Sequence, residues 1–254
     1  MTSRSNKKLM NLLSWHVPDT ILLPSWLEKK GISRDLQKYY LRSGWLEPFD
    51  HGAYKRPNDN IKWYGALHSL QYQKNLPVHI GGLTSLALQG FSHYGRPGKE
   101  PIYLFSPQYV NLPKWFYDSE WGNRIIHIKS RFLPAGFSLF EYSQGRIKLQ
   151  VSSSERAVLE CLYLTPSKFD MQECFQIFEG LSNLRPELLQ ELLEKCRSIK
   201  VKRLFFFMAS RVNHQWLPYI NQNKIDLGQG DRMLVRGGVY IAKYHISVPK
   251  DLAL

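Results

Sequence analysis

Between Ser33 and Arg56 the chain carries a helix with both ends marked and then, at once, a hairpin, and that pairing narrows the available folds more than any other stretch. Ser33 is a residue type that caps helix N-termini by accepting backbone N–H bonds, and Gly44 suits the left-handed conformation on which helices end. At helical spacing Arg34, Lys38 and Arg42 fall four apart on one face, while Leu36, Tyr39 and Tyr40 gather opposite. The short apolar runs Trp45 to Phe49 and Ala53 to Arg56 flank Asp50-His51-Gly52, a hairpin signature. A basic helix followed directly by a small hairpin outlines a winged helix-turn-helix.

The upstream residues supply the rest of that fold. Lys7 to Trp15 is an amphipathic helix with Leu9, Leu12 and Leu13 on one face, Pro18 ends it, and Ser25 to Lys30 forms a second helix before the Gly31 turn. Leu9, Leu13, Leu27, Leu36, Tyr40 and Leu46 would build a trihelical core. In such a domain the last helix enters the major groove of double-stranded DNA and the wing lies on the neighbouring backbone. Ser33, Arg34, Gln37, Lys38 and Arg42 are then the contact residues, with Arg34 and Gln37 suited to base edges and Lys38 and Arg42 to phosphates. Lys55 and Arg56 on the wing would grip the flanking strand. An ordinary solvated face is the alternative for an isolated basic stripe, but it does not account for the helices and hairpin around this one.

Charge points the same way. With 34 lysines and arginines against 21 acidic residues the net charge is +13, which favours an anionic partner, nucleic acid before an anionic membrane. No run approaches the roughly 20 apolar residues a bilayer requires. Behind the basic Met1 to Lys8, the segment Leu9 to Trp15 is interrupted by Asn11 and Ser14, so no secretory leader is expected and a cytoplasmic protein follows. A chain of 254 residues, 43% hydrophobic, can bury a substantial core and divides naturally in two. The expected class is α+β, with residues 1–93 as the winged helix-turn-helix domain carrying extra helices and residues 94–254 as a larger mixed domain.

Beyond the wing, Pro57 to Asn60 breaks the pattern and Trp63, Leu67 and Leu70 mark a helix with Lys62 and Lys74 on its polar side. Pro77 to Ile80 reads as a strand, Gly81-Gly82 as a turn and Leu83 to Gln89 as a helix. That glycine turn could cradle phosphate, but lacks the full glycine-rich spacing, and close packing is the plainer reason for it. From Pro101 strands dominate: Ile102 to Phe105, Ile125 to Lys129, Phe137 to Tyr142 and Ile147 to Val151. A capping box from Ser152 to Glu155 opens a helix at Arg156 to Leu164. Helices at Met171 to Phe178, Pro186 to Arg197 and Val201 to Ala209 follow, and strands at Met233 to Val235 and Tyr240 to Val248 close the chain.

Signals for catalysis are sparse, and the expectation is a non-enzyme without cofactor or metal. Cys161, Cys174 and Cys196 are odd in number, widely spaced and set in amphipathic helices, the usual context of reduced packing cysteines. His79 and His93 stand alone and read as structural. Gly95-Arg96-Pro97-Gly98-Lys99 ends like a phosphate loop, but has His93 where the first glycine belongs and Glu100 in place of the metal-binding hydroxyl. Asp226-Leu227-Gly228-Gln229-Gly230-Asp231-Arg232 could form an anion nest or hold a metal through its carboxylates, and a polar turn explains it as well. Lys200, Lys202, Arg203 and Arg211 form the densest basic cluster outside the winged region: a second DNA contact, a partner surface or a solvated helix start.

Taken in order, the basic winged helix, Gly81-Gly82-Leu83-Thr84-Ser85-Leu86-Ala87-Leu88-Gln89-Gly90, Ser154-Glu155-Arg156-Ala157, Leu181-Ser182-Asn183-Leu184-Arg185-Pro186, Lys200-Val201-Lys202-Arg203-Leu204-Phe205 and Asp226-Leu227-Gly228-Gln229-Gly230 resemble the AbiEi antitoxin family of type IV toxin-antitoxin systems. The resemblance implies a monomeric protein with two tasks. Its winged domain would bind promoter inverted repeats and repress the operon, and its C-terminal domain would counter a nucleotidyltransferase toxin without a stable complex between them. Two other classes remain open from the residues: a nucleic-acid-processing enzyme that uses the Asp226 to Arg232 loop, and a ligand-sensing repressor.

Overall fold

The structure, a computed structural model, describes residues 3–91 and 100–253, so His93 and the Gly95 to Lys99 loop lie outside the described residues, as does the expected boundary at residue 93. Three helices open the chain, α1 (Ser3–Trp15), α2 (Pro24–Lys29) and α3 (Arg34–Arg42), followed by the hairpin β1 (Glu47–Asp50) and β2 (Ala53–Lys55). The hairpin is antiparallel, and Leu22 adds a third rung on the far side of β2, exchanging both backbone bonds with Tyr54 at 2.7 and 3.0 Å. Leu9, Leu12, Leu22, Leu27, Ile32, Tyr40 and Leu46 form one buried cluster, with Leu13 and Leu36 packed at its margin. This is a winged helix-turn-helix.

Both ends of α3 close by the devices its sequence advertises. Ser33 Oγ accepts the Leu36 N–H at 3.4 Å. Gly44 takes a left-handed φ of 74°, which lets the Trp45 N–H reach back to Tyr40 O at 2.9 Å. The turn before α3 is held from outside, by Lys8 Nζ on Gly31 O at 2.6 Å and by Lys30 Nζ near the rings of Trp15 and Trp26 at 5.4 and 5.6 Å. After the wing comes α4 (Trp63–Tyr72). It docks on the segment entering α2: Ser69 Oγ and Gln73 Nε2 both donate to Ile21 O, and Gln73 Oε1 accepts the Leu23 N–H. A Cβ on Gly65 would fall 2.0 Å from Asp19 O, so this approach requires glycine.

The remaining elements are β3 (His79–Ile80), α5 (Gly82–Leu88), β4 (Ile102–Ser106), α6 (Lys114–Asp118), β5 (Ile125–Lys129), β6 (Leu139–Gln144), β7 (Ile147–Ser152), α7 (Ser154–Leu164), α8 (Met171–Gly180), α9 (Pro186–Lys195), α10 (Ile199–Val212), β8 (Val239–Ile241), β9 (Ile246–Val248) and α11 (Lys250–Ala253). One mixed sheet runs in the order β5-β4-β3-β7-β6. β4 lies antiparallel to β3 and parallel to β5, and Ile80 pairs with Val151 in parallel. Packing separates the chain along discontinuous lines: residues 1–78, 109–124 and 141–150 form one compact unit and residues 79–108, 125–140 and 151–254 the other. The second unit is an α+β assembly whose core draws on α7, α8, α9 and α10, with Phe178, Leu189, Leu192, Leu204 and Phe205 buried together.

Three readings of local structure shift. Ser153, not Ser152, caps α7, its Oγ accepting the Arg156 N–H at 3.3 Å. Ser152 Oγ instead donates to Glu160 at 2.8 Å. Tyr240 to Val248 is not one strand but the hairpin β8–β9, reversed through a 3-10 turn at Ala242–Tyr244 and a left-handed His245. Met233 to Val235 forms no strand; Arg232 makes a single parallel bridge to Ile246. The three cysteines are free and buried, and burial pushes Cys174 and Cys196 up to about 12 and about 11, so they stay protonated packing residues.

The Gly81-Gly82 turn serves a buried carboxylate. Glu160 Oε2 accepts the Gly82 N–H (2.9 Å) and Ser152 Oγ, while Oε1 faces His79 Nε2 (2.9 Å) and Arg156 Nε (2.8 Å). A Cβ on Gly81 would sit 2.2 Å from Oε2. Burial opposes ionisation of Glu160, yet the charges on its neighbours and these hydrogen bonds outweigh it and hold the group down at about 2. The N–H that sequence inspection offers to a phosphate thus binds an internal anion.

Candidate nucleic-acid interface

Burial along α3 decides which side chains can meet a ligand. Gln37 and Tyr40 are buried, Leu36 and Leu41 half-buried, and Arg34, Asp35, Lys38, Tyr39, Arg42 and Ser43 exposed. Arg34, Lys38 and Arg42 therefore share one accessible face over two turns, as their spacing requires. Arg34 Nε lies 2.6 Å from Glu28 Oε1 on α2, and Lys38 Nζ is 3.9 Å from Asp35 Oδ1. Both pairs are open to solvent, where such contacts are weak and readily exchanged for a phosphate.

Gln37 does not belong to this face. It is 1% exposed, and its Nε2 donates to Pro24 O at 3.1 Å and Ile32 O at 2.9 Å, stitching α3 to the start of α2 and to the intervening turn. An amide one position off the apolar stripe looks available in sequence, but here it gives Ile32 O its donor and adds a second bond to Pro24 O. Tyr39 moves the other way: expected inside, it is 38% exposed beside the basic stripe. Ser33 is exposed with its hydroxyl engaged as the cap.

On the wing, Lys55 and Arg56 are half-buried. Lys55 Nζ stands 3.3 Å from Glu47 Oε2 across the hairpin. Arg56 gives its backbone N–H to Asp59 Oδ2 at 3.3 Å, the carboxylate that also holds His16 Nε2 at 2.8 Å. His51 and Gly52 form the exposed tip, Gly52 with φ of 76°.

The second basic cluster dissolves on folding. Lys202 and Arg203 are 5% and 1% exposed. Lys202 Nζ donates to Asp226 O at 2.7 Å. Arg203 spreads over four carbonyls, Leu227 (2.7 Å), Gly228 (3.0 Å), Gly230 (2.6 Å) and His245 (3.1 Å). Lys200 is half-buried on Tyr163 O and Thr165 O, and Arg211 alone of the four is exposed. The physical reason is the loop Asp226 to Arg232, whose irregular backbone turns its carbonyls inward and needs buried donors. The loop's own carboxylates point to separate duties: Asp226 Oδ1 accepts the Gly228 N–H at 2.7 Å, and Asp231 Oδ1 lies 2.5 Å from Tyr240 Oη and 2.9 Å from His245 Nδ1. Among the described residues no three His, Cys, Asp or Glu side chains converge as metal ligands, and no helix is long and apolar enough to cross a membrane.

Comparison with known proteins adds independent information. The solved structure of the Rv2827c protein from Mycobacterium tuberculosis superposes with a TM-score of 0.57 at 14% identity, covering 97% of this chain and 91% of that one, a likeness of fold. No curated protein matches the chain. Residues 5–96 match the family described as the N-terminal domain of the AbiEi antitoxin, a transcriptional regulator, and residues 99–249 match the family described as transcriptional regulator, AbiEi antitoxin, type IV toxin-antitoxin system. Since these matches follow one another across nearly the whole length, behind a winged helix-turn-helix, the chain belongs to the AbiEi family of antitoxin transcriptional regulators of type IV toxin-antitoxin systems.

Proposed function

We propose that this protein represses its own toxin-antitoxin operon by binding promoter inverted repeats through α3 and the β1–β2 wing, and that its C-terminal unit counters a nucleotidyltransferase toxin without a stable complex. The observation that carries the DNA reading is the exposed row Arg34, Lys38 and Arg42 on a helix whose opposite face is locked into a trihelical core. Arg34, at the helix start, is placed to read base edges, since recognition helices present their N-terminal residues to the groove. Lys38 and Arg42 take phosphates, and Lys55 and Arg56 the backbone beside the wing. Tyr39, which sequence inspection put inside, joins the contact face.

The test is titration of the protein's own promoter across a range of salt concentrations. Lys38→Ala and Arg42→Ala each lower affinity for all duplexes and reduce the slope of log K against log salt by about 0.9 per lost phosphate contact. Unchanged slopes would remove these residues from the interface. Growth rescue from the adjacent gene product, scored with each α3 variant, separates the second task from the first: repression fails while rescue persists. The protein acts without catalysis in this account.

A further inference from the structure

Cations of the C-terminal unit that the DNA reading leaves unused converge on one cleft. Lys129 at the end of β5, Ser167 and Lys168 beyond α7, and Lys200 in the first turn of α10 line a space of about 380 Å³ together with His127 and Tyr163. None of the residues lining it carries a carboxylate. Lys200 Nζ donates 2.6 Å bonds to Tyr163 O and Thr165 O, which occupies two of an ammonium's three N–H groups and fixes its position on the wall. Burial lowers its pKa below the usual lysine value, the sign of a cation that has lost water and gained no acid in return. His127 Nε2 is 2.7 Å from Ser106 Oγ, and burial with Lys129 pushes the imidazole down to about 4. At neutral pH the charge in the cleft therefore comes from three lysines.

The chemistry on offer is cationic rather than aromatic. The Tyr163 ring is already stacked on Phe132, centroids 4.2 Å apart, with Lys200 Nζ 5.5 Å from the same ring. A base would find no open platform there. Three ammonium groups set around a small concave space, with a hydroxyl among them, match an anion bearing several negative charges close together. We propose that this cleft binds the phosphate chain of a small phosphorylated molecule, recognised through charge and without contact to an attached nucleoside. The source is either free pyrophosphate or the phosphates of a nucleotide, and both present the same chemistry.

Calorimetric titration of the full, DNA-free chain at about 0.15 M salt with pyrophosphate, inorganic triphosphate, ATP and adenosine tests this. Pyrophosphate is expected to bind, ATP to bind as tightly as inorganic triphosphate, and adenosine not at all. Preference for ATP over inorganic triphosphate, which carries the same phosphate chain, or binding of adenosine, would mean that the nucleoside is read and would overturn the assignment. The exposed pair Lys129→Gln and Lys168→Gln, combined, should weaken pyrophosphate binding at least about tenfold, with thermal melting confirming the fold. Removing the same charge elsewhere, Arg211→Gln with Lys224→Gln, should leave it unchanged. Absence of pyrophosphate binding, binding that survives the Lys129 and Lys168 changes, or equal weakening by the control pair would each show only diffuse attraction to a basic protein. Because no DNA is present, this outcome is independent of the operator titration.

Discussion

Arg34, the first residue of α3, is clasped by Glu28 of the preceding helix, Nε to Oε1 at 2.6 Å, with both side chains open to solvent. The carboxylate occupies the guanidinium that the proposed DNA contact requires, and it adds a negative charge beside the phosphates. Glu28→Gln should therefore tighten promoter binding by about two- to fivefold, the scale of an exposed pair, and steepen its salt dependence. Fluorescence anisotropy with a labelled duplex measures this; unchanged or weaker binding would show that Arg34 does not reach the DNA.

Gln37 sits three residues along the same helix and has the opposite role. Gln37→Ala leaves Ile32 O without its donor and removes the second bond to Pro24 O, at a cost of about 1–3 kcal/mol. The expected result is a lower melting temperature with the sequence preference for operator over random duplex unchanged. A changed preference in a fully folded variant would restore Gln37 to the base-reading set.

Arg203→Met tests the reassignment of the second basic cluster. Three carbonyls, those of Leu227, Gly228 and Gly230, lose their donor at once, while His245 O keeps the Arg232 N–H, and destabilisation of about 3 kcal/mol follows from the cost of unpaired acceptors. Chemical denaturation gives the number. A stable Arg203→Met protein that binds DNA more weakly would mean that the side chain serves the ligand and not the loop.

Stability should fall as the solution is acidified from pH 6.5 towards 4. Burial lowers the pKa of His16, His68 and His79 in the folded chain and takes His127 to about 4, with Lys129 adding to the effect on His127. The unfolded chain binds protons at these sites from about pH 6.5 downward while the folded chain does not. Their contribution is complete above that value, declines below it, and for His127 levels off beneath pH 4. Glu160 acts in a lower window, losing its share between about 4.5 and 2. Thermal melts should show His127→Gln losing less stability than the parent between pH 6.5 and 4 if the histidine carries part of this loss; parallel curves would assign it elsewhere.

Local signals in the chain were enough for the geometry of α3 and the hairpin after it. Ser33 and Gly44 mark the helix ends, the four-residue spacing of Arg34, Lys38 and Arg42 sets their common face, and Asp50-His51-Gly52 announces the wing, because caps, helical period and turn chemistry all act over a few residues. The buried cysteines and the strand at Ile125–Lys129 were legible for the same reason.

Only tertiary structure could decide the fate of individual polar groups. Gln37 and Arg203 carry nothing in their flanking sequence to say that distant carbonyls, those of Pro24 and Ile32 and of Leu227, Gly228 and Gly230, would be turned toward them. Nor does local sequence bring Lys129, Lys168 and Lys200 to one cleft. Amino-acid order determined which segments became helix, wing and basic face; the demand that every buried carbonyl find a donor, met only when remote segments pack, determined which cations turned inward and which stayed at the surface.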